Sequence, residues 1–387
     1  MAFRARVAIT AVFALNGTLF ASIFSRLPTI QDRTELSDGA LGLALLCSML
    51  GLVLSQFAAG ALVARIGSRR LVVVGALGYA AGLIPVALSE SFAALAASLA
   101  FIGVANGVLD VSMNIHGLTV ERKLGRPILS TLHAAFSFGA LAGAGVGALL
   151  AAAGVAVVAH LTGMALLGAI AALTAGHFLL PSAADAAPEG PLIARPTRAL
   201  LTIGVFAFCV LLAEGAVNDW AAIYLDDEIG TGEALAASGL AAFSLTMGIG
   251  RLFGDRLVEQ AGPTRLARGG ATLSLAGMTV ALSASGPLLA VPGFAAMGLG
   301  LAALFPLALR AASTRGEVAG PSVAAVSALG YLGLLTGPPA VGGLSELVGL
   351  RAALALIAAL LATAALLAGS LRAPSTTTTA RVADRAG

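Results

Sequence analysis

Apolar runs of roughly 20 residues, the length an α-helix needs to cross a hydrocarbon layer, alternate with short polar breaks along almost the whole chain. They predict helices over 7–27, 38–64, 71–89, 92–119, 129–153 and 155–180, then over 199–225, 235–258, 269–285, 287–312, 319–345 and 350–371. Membrane-spanning β-strands would instead alternate over segments of about ten residues, and the chain shows no such pattern. The widest internal break, 181–198, is rich in Pro and Ala and reads as a linker. It divides an N-terminal six-helix bundle (1–180) from a C-terminal one (199–371). The remaining 372–387, with its threonine run, has no apolar periodicity and reads as a disordered tail.

Composition agrees. The 387 residues are 58% hydrophobic and 11% charged, with a mean hydropathy of +0.97. A soluble domain carries about 25% charged residues, so the chain is expected in a membrane. Its net charge of +3 raises the possibility of nucleic acid as a partner, but the distribution points elsewhere. Arg65, Arg69, Arg70, Arg122, Lys123, Arg126, Arg195, Arg198, Arg256, Arg265, Arg268 and Arg315 gather on one side of the predicted spans. Arg26, Arg33 and Arg351 lie on the other, beside Asp226, Asp227, Glu228 and Glu233. The positive-inside bias then predicts a multi-pass protein of the cytoplasmic membrane with both termini in the cytoplasm. Arg4 and Arg6 precede an apolar run that continues past Ser25 and contains Asn16, so this segment reads as a retained first helix. Cys47 and Cys209 fall inside spans with no redox or metal spacing. The chain holds no nucleophile–base pair, metal-ligand pattern or phosphate loop. The expectation is no enzyme, no cofactor and no metal.

The chemistry lies inside the spans. Asp110 sits in the fourth, with Asn106 and Asn114 one turn to either side, so the three share one helix face. Glu214 and Asn218 share a face of the seventh, and Asp219 and Trp220 follow toward its outer end. Ionisable groups within a membrane are costly and usually face a bundle interior or a water-filled path. Asp110, Glu214 and Asp219 are therefore proton-coupling candidates, since a desolvated carboxylate can load and release a proton near neutral pH. The competing reading makes these groups polar ties between helices, and for Asp219 a cap or gate. Asn16, Asn106, Asn114 and Asn218 are candidates to hydrogen-bond a polar solute. Phe20 and Phe24 of the first span, with Trp220 and Tyr224 of the seventh, could wall a sugar-like ring, or mark the interface. Arg26 could pair with Asp219 or snorkel to the surface. Arg310 reads as a headgroup anchor. His116 and His133 read as structural, with a proton shuttle as the alternative. Gly139, Gly143 and Gly147 form a flat face for close helix approach.

The halves read as copies. Asn16-Gly17 aligns with Glu214-Gly215, and Gly103 with Gly298, which places Asp110 opposite Phe305. The connection carrying Gly60, Arg65, Gly67, Arg69 and Arg70 matches the one carrying Arg251, Asp255 and Arg256. Two repeated six-helix halves are the plan of a rocking transporter with its site between them. On these features the chain resembles the major facilitator superfamily over essentially its full length. The Gly60–Arg70 segment resembles that family's hallmark motif but has Ala64 where the family has an aspartate; Asp255 with Arg251 is the counterpart in the second half. Leu109-Asp110-Val111-Ser112-Met113-Asn114, Asp219-Trp220 and Gly330-Tyr331 resemble the MosC/YbjJ-like branch, one member of which is linked with an amino-cyclitol.

The fold expected is thus an all-α membrane protein of twelve transmembrane helices in two pseudo-symmetric six-helix bundles. The function expected is secondary transport of a small polar solute, sugar- or cyclitol-like, by alternating access and coupled to protons. The Gly60–Arg70 and Arg251–Arg256 motif residues, with Arg26, are expected to gate. The partners are solute, protons and the lipid bilayer, and the chain is expected to act as a monomer. The alternative is a proton-driven drug or metabolite efflux antiporter. Drug pockets carry few fixed polar groups, whereas the polar residues above favour a polar cargo.

Overall fold

The computed structural model describes residues 2–36, 38–181, 197–231, 238–315 and 318–372. Nearly all of the 181–198 linker and the 372–387 tail lie outside the described residues. The first half comprises α1 (Ala2–Phe24), a short α2 (Leu27–Thr34), α3 (Asp38–Ile66), α4 (Ser68–Leu88), α5 (Phe92–Leu124), α6 (Leu129–Ala152) and α7 (Val157–Phe178). The second comprises α8 (Arg198–Ile223), α9 (Ser238–Ala261), α10 (Pro263–Ser283), α11 (Pro287–Leu301), α12 (Leu304–Arg315), α13 (Ala319–Val348) and α14 (Leu350–Leu367). Among the described residues, ten of the predicted spans are long and apolar enough to cross a membrane. The other two, α9 and α10, carry Arg251, Asp255 and Arg256, and Arg265 and Arg268.

Two departures from the predicted spans have local causes. The segment after the first span, starting with a proline in its first turn, forms the extra helix α2. The tenth span divides into α11 and α12 at Ala302-Ala303. Pro306 has no N–H to return to the carbonyl four residues earlier, and the ladder breaks at that turn.

The halves repeat each other's packing. In the first, α1 packs on α6 and α7, and α5 on α3 and α4. In the second, α8 packs on α13 and α14, and α11 on α9 and α10. Glycine sets the closest approaches. A Cβ on Gly103 would run into the Ser48 carbonyl of α3, and one on Gly298 into the Phe243 carbonyl of α9. Gly17 and Gly139 abut the backbones of Phe136 and Ala14 in the same way, so α1 and α6 meet on the flat face of small residues. Gly67 and Gly262, with φ of 85° and 77°, open α4 and α10 in the left-handed region that glycine alone adopts without strain. Large apolar side chains such as Leu141, Leu149 and Leu167 point outward, as a lipid-facing surface requires.

Across the halves, α3 packs on α13 and α6 on α9. The contact lies toward the end of the bundle that carries Arg69 and Arg265, termed the basic end below. Gly60 there rests on Gly320 and Pro321, each about 3.0 Å from its would-be Cβ.

Candidate functional site

A polar cluster occupies the centre of the molecule, where α3, α5 and α6 meet α8, α9 and α13. Asp110 is 4% exposed. Its Oδ2 accepts from Gln56 Nε2 and its Oδ1 from Asn114 Nδ2, both at 3.2 Å. The Tyr331 ring of the second half lies within electrostatic reach of the same carboxylate. Asn114 turns its Oδ1 to His133 Nε2 at 3.1 Å. The His133 ring stands edge-on to Phe305 at 6.1 Å between centroids, and Phe305 edge-on to Tyr331 at 5.9 Å. Asp110, Asn114, His133, Phe305 and Tyr331 thus form a chain of neighbours that crosses between the halves at His133 and Phe305.

The second carboxylate has a different environment. Glu214 Oε1 lies 3.2 Å from an Arg251 guanidinium nitrogen, and Arg251 also donates to Ser137 Oγ of the first half at 2.9 Å. Glu214 is therefore charge-paired, whereas among the described residues no cation lies within ion-pair distance of Asp110. Tyr331 lies within electrostatic reach of Asp110, Glu214 and Arg251 together, so the two carboxylates belong to one cluster.

The repeat explains this asymmetry. The shift that carries Gly103 to Gly298 also carries Gln56 to Arg251 and Asp110 to Phe305. The shift that carries Gly17 to Gly215 carries Asn16 to Glu214 and His133 to Tyr331. Equivalent positions thus build both walls, but the first half holds an acid beside an amide and the second an acid beside a cation. The same shift puts Asn218 opposite Phe20 and Ser22 opposite Trp220, so the aromatic pairs of α1 and α8 sit two residues out of register.

Several polar atoms of the cluster are buried with no partner among the described residues: Asn16 Oδ1, Gln56 Oε1, Asn106 Oδ1, Arg251 Nε and, farther out, Trp220 Nε1. Buried polar groups are nearly always satisfied, and unpaired acceptors and donors suit a hydrogen-bonding solute. Asn16 Nδ2 makes only a 3.8 Å contact with the Met113 sulfur. Toward the end opposite the basic one, Asn218 and Asp219 are exposed. Phe20 and Phe24 are 39% and 44% exposed, with ring centroids 4.5 Å apart.

At the basic end the halves are joined by charge. Glu121, at the end of α5, accepts from the Ile128 and Leu129 backbone N–H groups at 2.8 and 3.2 Å and pairs with Arg310 of α12 at 2.7 Å. Asp255 of α9 accepts from the N–H groups of Ser130 and Thr131 at 3.0 and 2.7 Å, and from Thr131 Oγ1 at 2.7 Å. Arg310 reaches Asp255 at 3.7 Å. The open N-terminus of α6, positive by its dipole, is thus capped by an acid from the other half. Of the motif residues, Arg69 donates to the Gly176 carbonyl at 2.9 Å, while Arg65, Arg70 and Arg256 are exposed.

Two basic residues depart from the sequence reading. Arg310 bridges Glu121 and Asp255 instead of anchoring at headgroups. Arg26 is buried and donates to His160 Nδ1 and the Val155 carbonyl, each at 3.1 Å, so it pairs with neither Asp219 nor the surface. Tyr224 is also buried, donating to the Ala281 carbonyl at 3.0 Å, and walls no cavity. Gln56, and Tyr331 as a neighbour of Asp110, escaped the sequence reading. For Gln56 a signal existed, because the repeat places it opposite Arg251.

Two bundles that repeat each other's packing, with ten helices long and apolar enough to cross a membrane among the described residues, meet toward the basic end and hold a polar cluster at the centre, which is the plan of a transporter. Comparison with known proteins sharpens this. The family model for the Major Facilitator Superfamily matches residues 9–320 and 203–387, and the chain belongs to that superfamily. It is 32% identical to an uncharacterized MFS-type transporter of Yersinia pestis over 349 residues, covering 90% of this chain and 91% of the relative. It is 30% identical to the membrane protein MosC of Rhizobium meliloti over 357 residues, covering 90% and 86%. Among solved structures, the Escherichia coli fucose:proton symporter FucP superposes with a TM-score of 0.80 at 16% identity, over 95% of this chain and 98% of that one.

Proposed function

We propose that the chain couples movement of a small polar solute, sugar- or cyclitol-like, to protons. It acts as a monomer in the cytoplasmic membrane, with both termini in the cytoplasm. The 1–180 and 199–371 halves rock about the central cluster, and the basic end is the cytoplasmic one. The observation that carries the reading is Asp110: a buried carboxylate with no cation partner among the described residues, held by donors of the first half and facing Tyr331 of the second. As a carboxylate it accepts from Gln56 and Asn114 and faces Tyr331 of the other half. Once protonated it has less acceptor capacity and a proton of its own to donate, so its electrostatic interaction with Tyr331 of α13 changes with the charge. A proton on Asp110 is thus felt by the contact between the halves, which is what coupling requires.

The solute is held by the unpaired atoms of Asn16, Gln56, Asn106 and Arg251, with Phe20, Phe24 and Trp220 toward the open end and Asn218 beside them. Glu214, neutralised by Arg251, orients that guanidinium. Asp219, exposed near the outer end, serves as a gate. The likeness in fold to a fucose:proton symporter supports a sugar-like cargo moved with protons. The test is uptake in proteoliposomes under an imposed pH gradient, screened over sugars and cyclitols. Asp110→Asn is expected to abolish accumulation and proton movement while leaving solute exchange. Accumulation at the wild-type level in that variant refutes the assignment.

A further inference from the structure

Far from the central cluster, two hollows meet on one face of α10. The first, of about 550 Å³, is lined at the basic end by Thr264, Arg265, Arg268 and Arg372. The second, of about 570 Å³, shares Thr264, Arg265 and Arg268 and continues past Thr272, Leu273 and Ala276. Residues 265, 268, 272 and 276 recur at helical spacing on one face. At 1.5 Å per residue the track from Arg265 to Ala276 is about 16 Å long.

Its two ends differ in chemistry. Arg251, Arg310 and Arg351 each find a carboxylate. Among the described residues, the guanidinium groups of Arg265 and Arg268 have neither an acid nor a hydrogen-bond acceptor. They converge with Arg372 on the first turn of α10, where Gly262 supplies no side-chain cap, and the helix N-terminus adds positive potential there. Along the track the lining turns apolar. Leu273 is 39% exposed, and a Cβ on Gly269 would meet only open space. A soluble anion satisfies the arginines but leaves the groove unfilled. A molecule with a phosphate at one end and a hydrocarbon chain at the other fits both.

We propose that this face of α10 is a binding site for an anionic phospholipid. The phosphate sits among Arg265, Arg268 and Arg372 at the membrane surface, and one acyl chain lies along Thr272, Leu273 and Ala276. Basic pockets beside membrane helices recognise such headgroups. The site lies on the second half alone, so the lipid travels with that half.

The test compares purified protein in phosphatidylcholine nanodiscs with and without phosphatidylglycerol, reading bound lipid by native mass spectrometry and unfolding temperature by thermal shift. Wild-type protein is expected to retain phosphatidylglycerol and to unfold several degrees higher when it is present. Arg265→Gln with Arg268→Gln should lose both effects. Gly269→Leu enters the groove from a position where a Cβ meets nothing within 4 Å and favours the helix; it should lose lipid retention while unfolding no earlier than wild type in pure phosphatidylcholine. If the double variant fails to fold, Gly269→Leu decides alone. Wild-type lipid retention in either folded variant overturns the proposal. So does stabilisation by inorganic phosphate equal to that by phosphatidylglycerol, which would mark a simple anion site.

Discussion

Replacing Asp255 with alanine removes the acid that caps α6 from the opposite half. The carboxylate accepts three hydrogen bonds, from Ser130 N, Thr131 N and Thr131 Oγ1, and is 7% exposed. Hydrogen bonds to a charged group are worth about 1.5–3 kcal/mol each, and losing a helix cap costs about 0.5–2 kcal/mol. Water replaces part of this once the end opens, so the differential between closed and open arrangements is about 2–4 kcal/mol. At about 1.4 kcal/mol per tenfold, the variant shifts the equilibrium roughly 30- to 700-fold toward opening at the basic end. Hydrogen exchange reads this directly: the Ser130 and Thr131 amides should exchange faster in Asp255→Ala, while amides in the middle of α5 keep their rates. Asp255→Asn, which retains one acceptor, should fall between. Unchanged exchange at Ser130 and Thr131 in the alanine variant would refute the view that Asp255 holds the halves together.

Arg310→Met should act in the same direction by leaving Glu121 and Asp255 without their shared cation, read as a longer mean distance between spin labels across the basic end; an unchanged distance distribution counts against it. Arg251→Met leaves the Glu214 carboxylate unpaired and should lower the unfolding temperature more than Arg251→Met combined with Glu214→Leu, because a stranded charge costs more than a removed pair; the reverse ranking contradicts the pairing. Gly139→Leu forces a side chain into the Ala14 carbonyl and should cost about 1–3 kcal/mol by overpacking; a wild-type unfolding temperature would show that α1 and α6 are less close than described.

What could be read in advance, and what could not, divides by range. The spans, the Asn106–Asp110–Asn114 face and the pairing of Gly103 with Gly298 depend on periodicity within a helix or on comparison of two stretches, and the chain itself displays both. The break at Ala302 also had its signal in Pro306. The neighbours of Asp110 had none locally, since Gln56 and Tyr331 arrive from α3 and α13 through packing. Arg310 shows the same limit. Near a helix end it looks like a surface anchor, and only the fold brings Glu121, 189 residues away, beside it. Arg26 likewise finds His160, 134 residues away.

The capping of α6 by Asp255 has a further consequence for hydration. In the closed arrangement the Ser130 and Thr131 N–H groups of α6 bond a residue of the other half instead of water. Whenever the halves part at that end, the same groups must take their hydrogen bonds from water. Opening therefore carries an uptake of solvent at a fixed place in the chain, and osmotic stress that lowers water activity should favour the closed arrangement. The membrane's two sides are then distinguished by water as well as by solute.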